Sequence, residues 1–339
     1  MSSETAPTRL PRSSRWKPAK GFLTIAISTI VLFLVCAVLA PSSVSGGAIA
    51  GMLPFAAVLA IVGLGQMLVV QQGGIDLSVP GAVSLTVVIV SHYPNGDDSK
   101  LGVGILIALA YCLGAGLLNG FLVGRLGLNS IIATLGTNAL LYGAVLGISN
   151  GIPRSTTRLL SQISSGRTLG IPNSVIFALI CLVVVILVLK RTAFGRRFEA
   201  VGANRAAARA TGLRVRTHNF AAFVWAQVLY CIAGVVLGGI ILQPTAFQGD
   251  AYLLPSVAVV VLGGTSLLGG RGFPVSTVIA ALFLSQLDAF VLALGVPYAI
   301  QTLVQAAALA VGVATYTVNW RALREKFTRT PREPVATAT

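Results

Sequence analysis

The polar and apolar positions of this chain do not alternate: they separate into long, continuously apolar runs that recur from residue 21 almost to residue 320. Each run reads as a membrane-crossing helix, because spanning a hydrocarbon core takes about 20 helical residues and a lipid-exposed backbone must satisfy its own hydrogen bonds. A β-barrel would need short segments of alternating polarity, which are absent. The pattern predicts ten segments, at 21–40, 49–70, 81–91, 101–123, 130–148, 174–189, 219–242, 253–262, 274–294 and 299–318. Two of them, 81–91 and 253–262, are too short to cross at about 1.5 Å per residue. Both adjoin glycine-rich breaks, Gly73 and Gly74 before the first and Gly263, Gly264, Gly269 and Gly270 after the second. The expected fold is therefore an all-α integral membrane protein, a polytopic bundle of about ten transmembrane helices with broken or re-entrant segments buried in protein or lining a wet cavity. Glycines four apart at Gly116, Gly120 and Gly124, at Gly143 and Gly147, and at Gly234 and Gly238 predict close helix approach.

Composition agrees: 55% of the 339 residues are hydrophobic and 10% charged, against about 25% charged in soluble domains. The net charge of +15 is confined rather than spread, with five Lys and Arg in residues 1–20, eight in 190–216 and five in 321–332. Such clustering is the positive-inside pattern of a chain set in membrane lipid, not a nucleic-acid or acidic-lipid binding surface, and it places both termini and the 190–216 loop in the cytoplasm. The expected organisation is a basic tail (1–20), a transmembrane domain (21–318) containing the basic loop, and a second basic tail (319–339). The first apolar run is expected to be a retained helix, since its flank "PSSVSGG" lacks a small-x-small cleavage site.

Catalytic chemistry is not legible. The two histidines, His92 and His218, fall on opposite sides of that topology, and Cys36, Cys112, Cys181 and Cys231 lie singly inside apolar runs, so no catalytic residues, metal site or cofactor are expected. The stretch "GTSLLGGRG" from Gly264 lacks the Lys followed by Ser or Thr of a phosphate loop, so the chain is not expected to hydrolyse ATP. Of nine acidic residues, Asp76, Asp250 and Asp288 lie in or near spans. Asp76, inside "QQGGIDLSVP" (71–80), has two readings: a carboxylate accepting backbone N–H bonds at a new helix start, or a contact to a passing solute together with Gln71 and Gln72. Asp288 reads as a helix-end residue or, in an ion-coupled secondary carrier for a small neutral solute, as a coupling group.

Within the basic loop, residues 203–211 are rich in Ala and Arg and are followed by Gly212, which predicts a short helix with Gly202 and Asn204 at its start. Held between two spans, it can dock in a groove of a cytoplasmic partner.

Four stretches, "GGIDLSVP" (73–80), "ATLGTNALLYG" (133–143), "VGANRAAARATGLRV" (201–215) and "VVVLGGTSLLGGRG" (259–272), resemble in order and spacing the membrane subunits of bacterial ABC importers for ribose and related monosaccharides. The resemblance covers about residues 52–316; permeases for branched-chain amino acids share the architecture but match two of the stretches less well. It implies a plasma (inner) membrane permease working as a homodimer or heterodimer with a second permease subunit, a cytoplasmic ATP-binding subunit and an extracytoplasmic sugar-binding protein. It further implies that Gly202, Asn204, Ala207, Ala208 and Gly212 form an ATPase-coupling helix. The candidate residues of a substrate pathway are Gln71, Gln72, Asp76 and Asn138. A ribose-like pentose or a hexose is the expected cargo. Pro80 stands where the family usually has glycine; it suits the first turn of a helix and removes a backbone donor there.

Overall fold

The computed structural model describes residues 20–297 together with 299, 300, 303, 306, 307 and 310. Most of the expected 299–318 span and both expected basic tails lie outside the described residues. Twelve helices follow in order among those described: α1 (Lys20–Leu39), α2 (Gly46–Gln71), α3 (Val79–His92), α4 (Leu101–Asn119), α5 (Ser130–Ser149), α6 (Arg158–Ser165), α7 (Asn173–Arg191), α8 (Ala193–Ala203), α9 (Arg205–Ala210), α10 (Val215–Ile240), α11 (Leu253–Leu262) and α12 (Pro274–Ala293). Seven helical stretches are long and apolar enough to cross a membrane, and α3 and α11 are the two short apolar helices, at the expected places.

The centre of the bundle is α2. Residues 56–71 of this helix are buried without a break, the mark of a helix that is apolar all round and enclosed by protein. It packs against α7, α10, α11 and α12, while α3 is held between α4, α5 and α10. The outer helices present lipid-facing side chains instead: Leu34 on α1, Leu106 on α4, Ile132 and Leu140 on α5 and Val183 on α7 are all exposed.

Two features depart from the sequence expectations. The long loop after α5 is ordered by α6 and by a short two-stranded antiparallel pair, β1 (Arg167–Thr168) and β2 (Ile171–Pro172), a small addition to an otherwise helical fold. Leu169 and Gly170 both take positive φ, 53° and 81°, the geometry of a tight two-residue hairpin turn. Second, the basic loop forms two helices rather than one. The Thr192 hydroxyl caps α8 by accepting from Gly195 N. Asn204 is extended and caps α9, its Oδ1 accepting from Ala206 N and Ala207 N at 3.0 Å each. Gly202 consequently ends α8 instead of opening α9. Gly212 does stop α9, at a φ of 80°.

Four-residue glycine spacing has two different outcomes. On α4 and the π-helical turn Gly120–Arg125 that prolongs it, Gly116, Gly120 and Gly124 line the contact with α10; a Cβ at Gly124 would lie 2.7 Å from Phe220 N and one at Gly120 2.8 Å from Phe220 O. Gly234 and Gly238 of α10 likewise meet Thr86 and Val90 of α3. Gly143 and Gly147 meet nothing within 4 Å, so the chain itself does not pack on that face of α5. Gly124→Val should accordingly lower the melting temperature of the detergent-purified chain by several degrees or prevent folding, since overpacking costs about 1–3 kcal/mol, whereas Gly143→Ala should leave it unchanged. Equal melting temperatures for the two variants would contradict this packing.

Candidate functional site

Inside the bundle the backbone between α2 and α3 leaves the helix for seven residues, 72–78. Helix α2 ends in a two-bond glycine cap: Gly73, at a φ of 71°, donates from its N–H to Val70 O at 2.8 Å, and Gly74 N donates to Val69 O at 3.2 Å. Helix α11 ends the same way, with Gly264 at a φ of 90°, Gly264 N on Val261 O and Thr265 N on Val260 O. These caps satisfy carbonyls that would otherwise be left open at a helix end enclosed by apolar side chains.

The next N–H groups are satisfied by one face of α5. Ser130 Oγ accepts from Ile75 N at 3.1 Å, Thr134 Oγ1 from Leu77 N at 2.8 Å and Asn138 Oδ1 from Gly81 N at 2.8 Å. The three side chains are four residues apart, so they stack on a single face of the helix alongside the broken strand. Asp76 completes the set. Its Oδ1 accepts from Ser78 N at 2.9 Å and from the Ser78 hydroxyl, at the start of α3. Gln227 Nε2 donates to Ser78 Oγ at 2.7 Å and reaches Asp76 Oδ2 at 3.5 Å, Asn119 Nδ2 donates to Ser78 Oγ at 3.0 Å, and the Thr137 hydroxyl donates to Asn119 Oδ1 at 2.6 Å. With its amide nitrogen turned toward the Tyr230 hydroxyl, Gln66 bridges both backbone groups of Asp76 at 3.2 and 3.3 Å. Asp76, Ser78, Asn119, Gln66, Gln227 and Tyr230 are all fully buried. Asp76 thus takes the backbone-capping role, and Pro80 falls in the first turn of α3, where a missing N–H costs nothing.

A second cluster lies one turn away, at the end of the bundle that carries the basic loop. Gly270 N donates to Gln71 O at 3.1 Å, the Gln72 amide nitrogen donates to Phe198 O at 2.9 Å, and the Arg205 guanidinium donates to Gln72 O. Three backbones meet at Gly202: a Cβ there would stand 2.5 Å from Gln71 O and 2.8 Å from Gly270 O. The end of α2, the α8–α9 step and the loop after α11 are therefore joined in one knot that side chains larger than hydrogen would open. The Gln71 amide is fully buried and makes no hydrogen bond.

The structure brings Gln71, Gln72, Gly73, Gly202, Gly269 and Gly270 together in this knot, and sets Gly74, Asp76 and Asn138 along the break behind it. Gly263 and Gly264 pack at the end of α11, where Gly263 faces Thr277 of α12. On the basic loop Ala208 is buried with Val201 and Val215, whereas Asn204, Ala207 and Gly212 are exposed. Asp250 accepts a hydrogen bond from the Tyr142 hydroxyl, and Phe247 meets the Tyr142 ring edge-on at 5.1 Å. Asp288 is half-buried within the last two turns of α12. Sequence reasoning missed Gln66, Asn119, Ser130, Thr134, Thr137, Arg205, Gln227 and Tyr230. The four-residue spacing of Ser130, Thr134 and Asn138 was the available signal for part of this set.

A family model described as the branched-chain amino acid transport system permease component matches residues 48–313. The chain belongs to that family. Among curated relatives, this permease component is 35% identical over 266 residues, 78% of its length and 79% of the relative's, to a probable ABC transporter permease, y4mJ, of Sinorhizobium fredii. It is 31% identical over 322 residues, 92% of its length and 98% of the relative's, to the ribose import permease RbsC of Escherichia coli. It is 34% identical over 271 residues, 78% of each chain, to the autoinducer 2 import system permease LsrC of an Enterobacter species. No solved structure matches. The permease is a multi-pass inner-membrane protein, and among the described residues seven helices are long and apolar enough to span.

The capping ladder makes a chemical distinction testable. Asn138→Leu strands the Gly81 N–H in an apolar interior at a cost of about 1–3 kcal/mol and should lower the melting temperature by several degrees. Asn138→Asp keeps the acceptor, and should retain more of the stability than the leucine variant. A leucine variant as stable as the wild type would show that Asn138 does not hold the break.

Proposed function

We propose that this permease is the membrane-spanning subunit of an ATP-driven importer for a monosaccharide, a ribose-like pentose or a hexose. In this reading an extracytoplasmic binding protein delivers the sugar, a cytoplasmic ATP-binding subunit supplies the motion, and a second permease subunit completes the conduit. The observation that carries it is the knot between the basic loop and the two glycine breaks: Arg205 on Gln72 O, Gln72 on Phe198 O and Gly270 on Gln71 O. A force applied to α9 from outside the membrane reaches the end of α2 and the loop after α11 through these bonds, without passing through the lipid-facing helices. The family membership supports a permease of an import system, and the ribose import permeases among the relatives support the cargo class.

The unpaired Gln71 amide suits a part that rearranges. A buried amide without partners costs about 1–3 kcal/mol, which makes this arrangement less stable by that amount than one in which the amide is paired. Asp76 is less suited to carrying a coupled proton or ion, because both its oxygens are already engaged with Ser78 and Gln227.

The test is uptake of radiolabelled ribose by proteoliposomes holding the permease, its ATP-binding subunit and its binding protein. Arg205→Ala should lower ATP-driven uptake by about tenfold, within the usual range of coupling free energies, while leaving insertion and ATP hydrolysis intact, and Arg205→Lys should recover part of it. Undiminished uptake in the alanine variant would overturn the coupling role. Uptake by the permease alone, driven by an ion gradient, would overturn the importer reading.

A further inference from the structure

A cavity of about 360 Å³ opens beside the knot, between the ends of α2 and α4, the start of α5, helix α9 and the start of α10. Four arginines line it: Arg125, Arg205, Arg209 and Arg216. No aspartate or glutamate is among its lining residues, and among the described residues the ion pairs are Lys100 with Asp97 and Lys190 with Glu199, so none of the four has a carboxylate partner. Four guanidinium groups around one cavity repel each other and attract an anion, and planar guanidinium matches phosphate in two-point contact.

The surroundings select the kind of anion. Immediately after Arg125 the chain exposes Leu126 (58%) and Leu128 (49%), and Phe121 and Leu117 on the helix leading to it are each 50% exposed. An apolar surface therefore runs from the lipid-facing side of α4 to the mouth of an arginine-lined cavity. A small soluble anion uses only the cavity, and an acidic protein surface gains little from leucines facing hydrocarbon. We propose that the cavity is a binding site for the phosphate headgroup of an anionic phospholipid, whose acyl chains lie along α4 and over Leu126 and Leu128. Because Arg205 also holds Gln72 O, the bound phosphate stabilises the arrangement of the knot.

The test titrates the full-length, detergent-purified permease with phosphatidylglycerol, phosphatidylcholine or inorganic phosphate and reads apparent affinity from thermal shift. Phosphatidylglycerol should bind, phosphatidylcholine should not, and the Arg125→Gln, Arg216→Gln double variant should bind about thirtyfold more weakly, as two surface charges at about 1 kcal/mol each imply. Leu126→Asn with Leu128→Asn should weaken the lipid but leave any response to inorganic phosphate unchanged. If the double variant does not fold, Arg209→Gln alone should lose about fivefold. Equal binding of both lipids, or of the lipid by wild type and variant, overturns the proposal. Inorganic phosphate binding as tightly as the lipid assigns the cavity to a free anion and overturns the lipid. Variants that lose the ATP-binding subunit while keeping the lipid assign it to a protein partner, with the same consequence.

Discussion

A helix that stops inside an apolar bundle leaves polar backbone groups where neither water nor lipid can answer them, and each one left open costs several kcal/mol in hydrocarbon. Everything distinctive about this permease follows from where that break is put. The chain leaves α2 at Gln72 and does not resume helix until Val79, enclosed by α4, α5 and α10. Two carbonyls are met by a glycine cap, three N–H groups by the Ser130, Thr134 and Asn138 side chains of α5, and another by Asp76. The polar residues of an otherwise apolar protein are concentrated here because the broken backbone requires them. Their presence needs no substrate to explain it, which is why polarity alone is a poor guide to a transport path in such a fold.

Placing acceptors on side chains rather than on a neighbouring strand has a mechanical consequence. A helix-borne Ser, Thr or Asn reaches the break from a rigid element, so the break keeps its position relative to α5. The other end of the same segment is held by a different kind of contact, backbone against backbone at Gly202 and Gly270 with one arginine bond over it. The segment is thus held by side chains on the bundle side and by a three-way glycine contact on the basic-loop side.

Much of the architecture was legible in the apolar runs. The seven long helices, the two short ones and their adjoining glycine breaks fall where length and hydropathy put them, because burial in lipid leaves the backbone few alternatives. Asp76 was legible as a capping carboxylate, since a helix start beside a break needs an acceptor whatever surrounds it. What the sequence did not disclose depends on contacts between distant segments. Gly202 read as the opening of a helix because its nearest neighbours favour one; its actual role is set by Gln71 and Gly270, over a hundred and nearly seventy residues away in the chain. The α8 helix was missed because it follows α7 after the single residue Thr192, its N-cap, inside a stretch whose charges read as loop. The hairpin at 167–172 was missed because Leu169, not an asparagine or glycine, takes the first positive-φ position of its turn.

The same contrast between local and long-range information bears on the adjacent Gln71 and Gln72, whose amides are held differently although Oε1 of each is buried without a partner. Gln72 is tied at both its side chain and its carbonyl, to Phe198 and Arg205, and so records the position of the basic loop. Gln71 offers its carbonyl to Gly270, while its amide lies buried and unpaired beside Gly272 and Met67. A fold selected only for stability would replace that amide with a leucine of similar size, removing an unsatisfied donor and acceptor and adding apolar burial. Retaining the amide fits the proposed part of the α2 end in transport better than it fits stability alone.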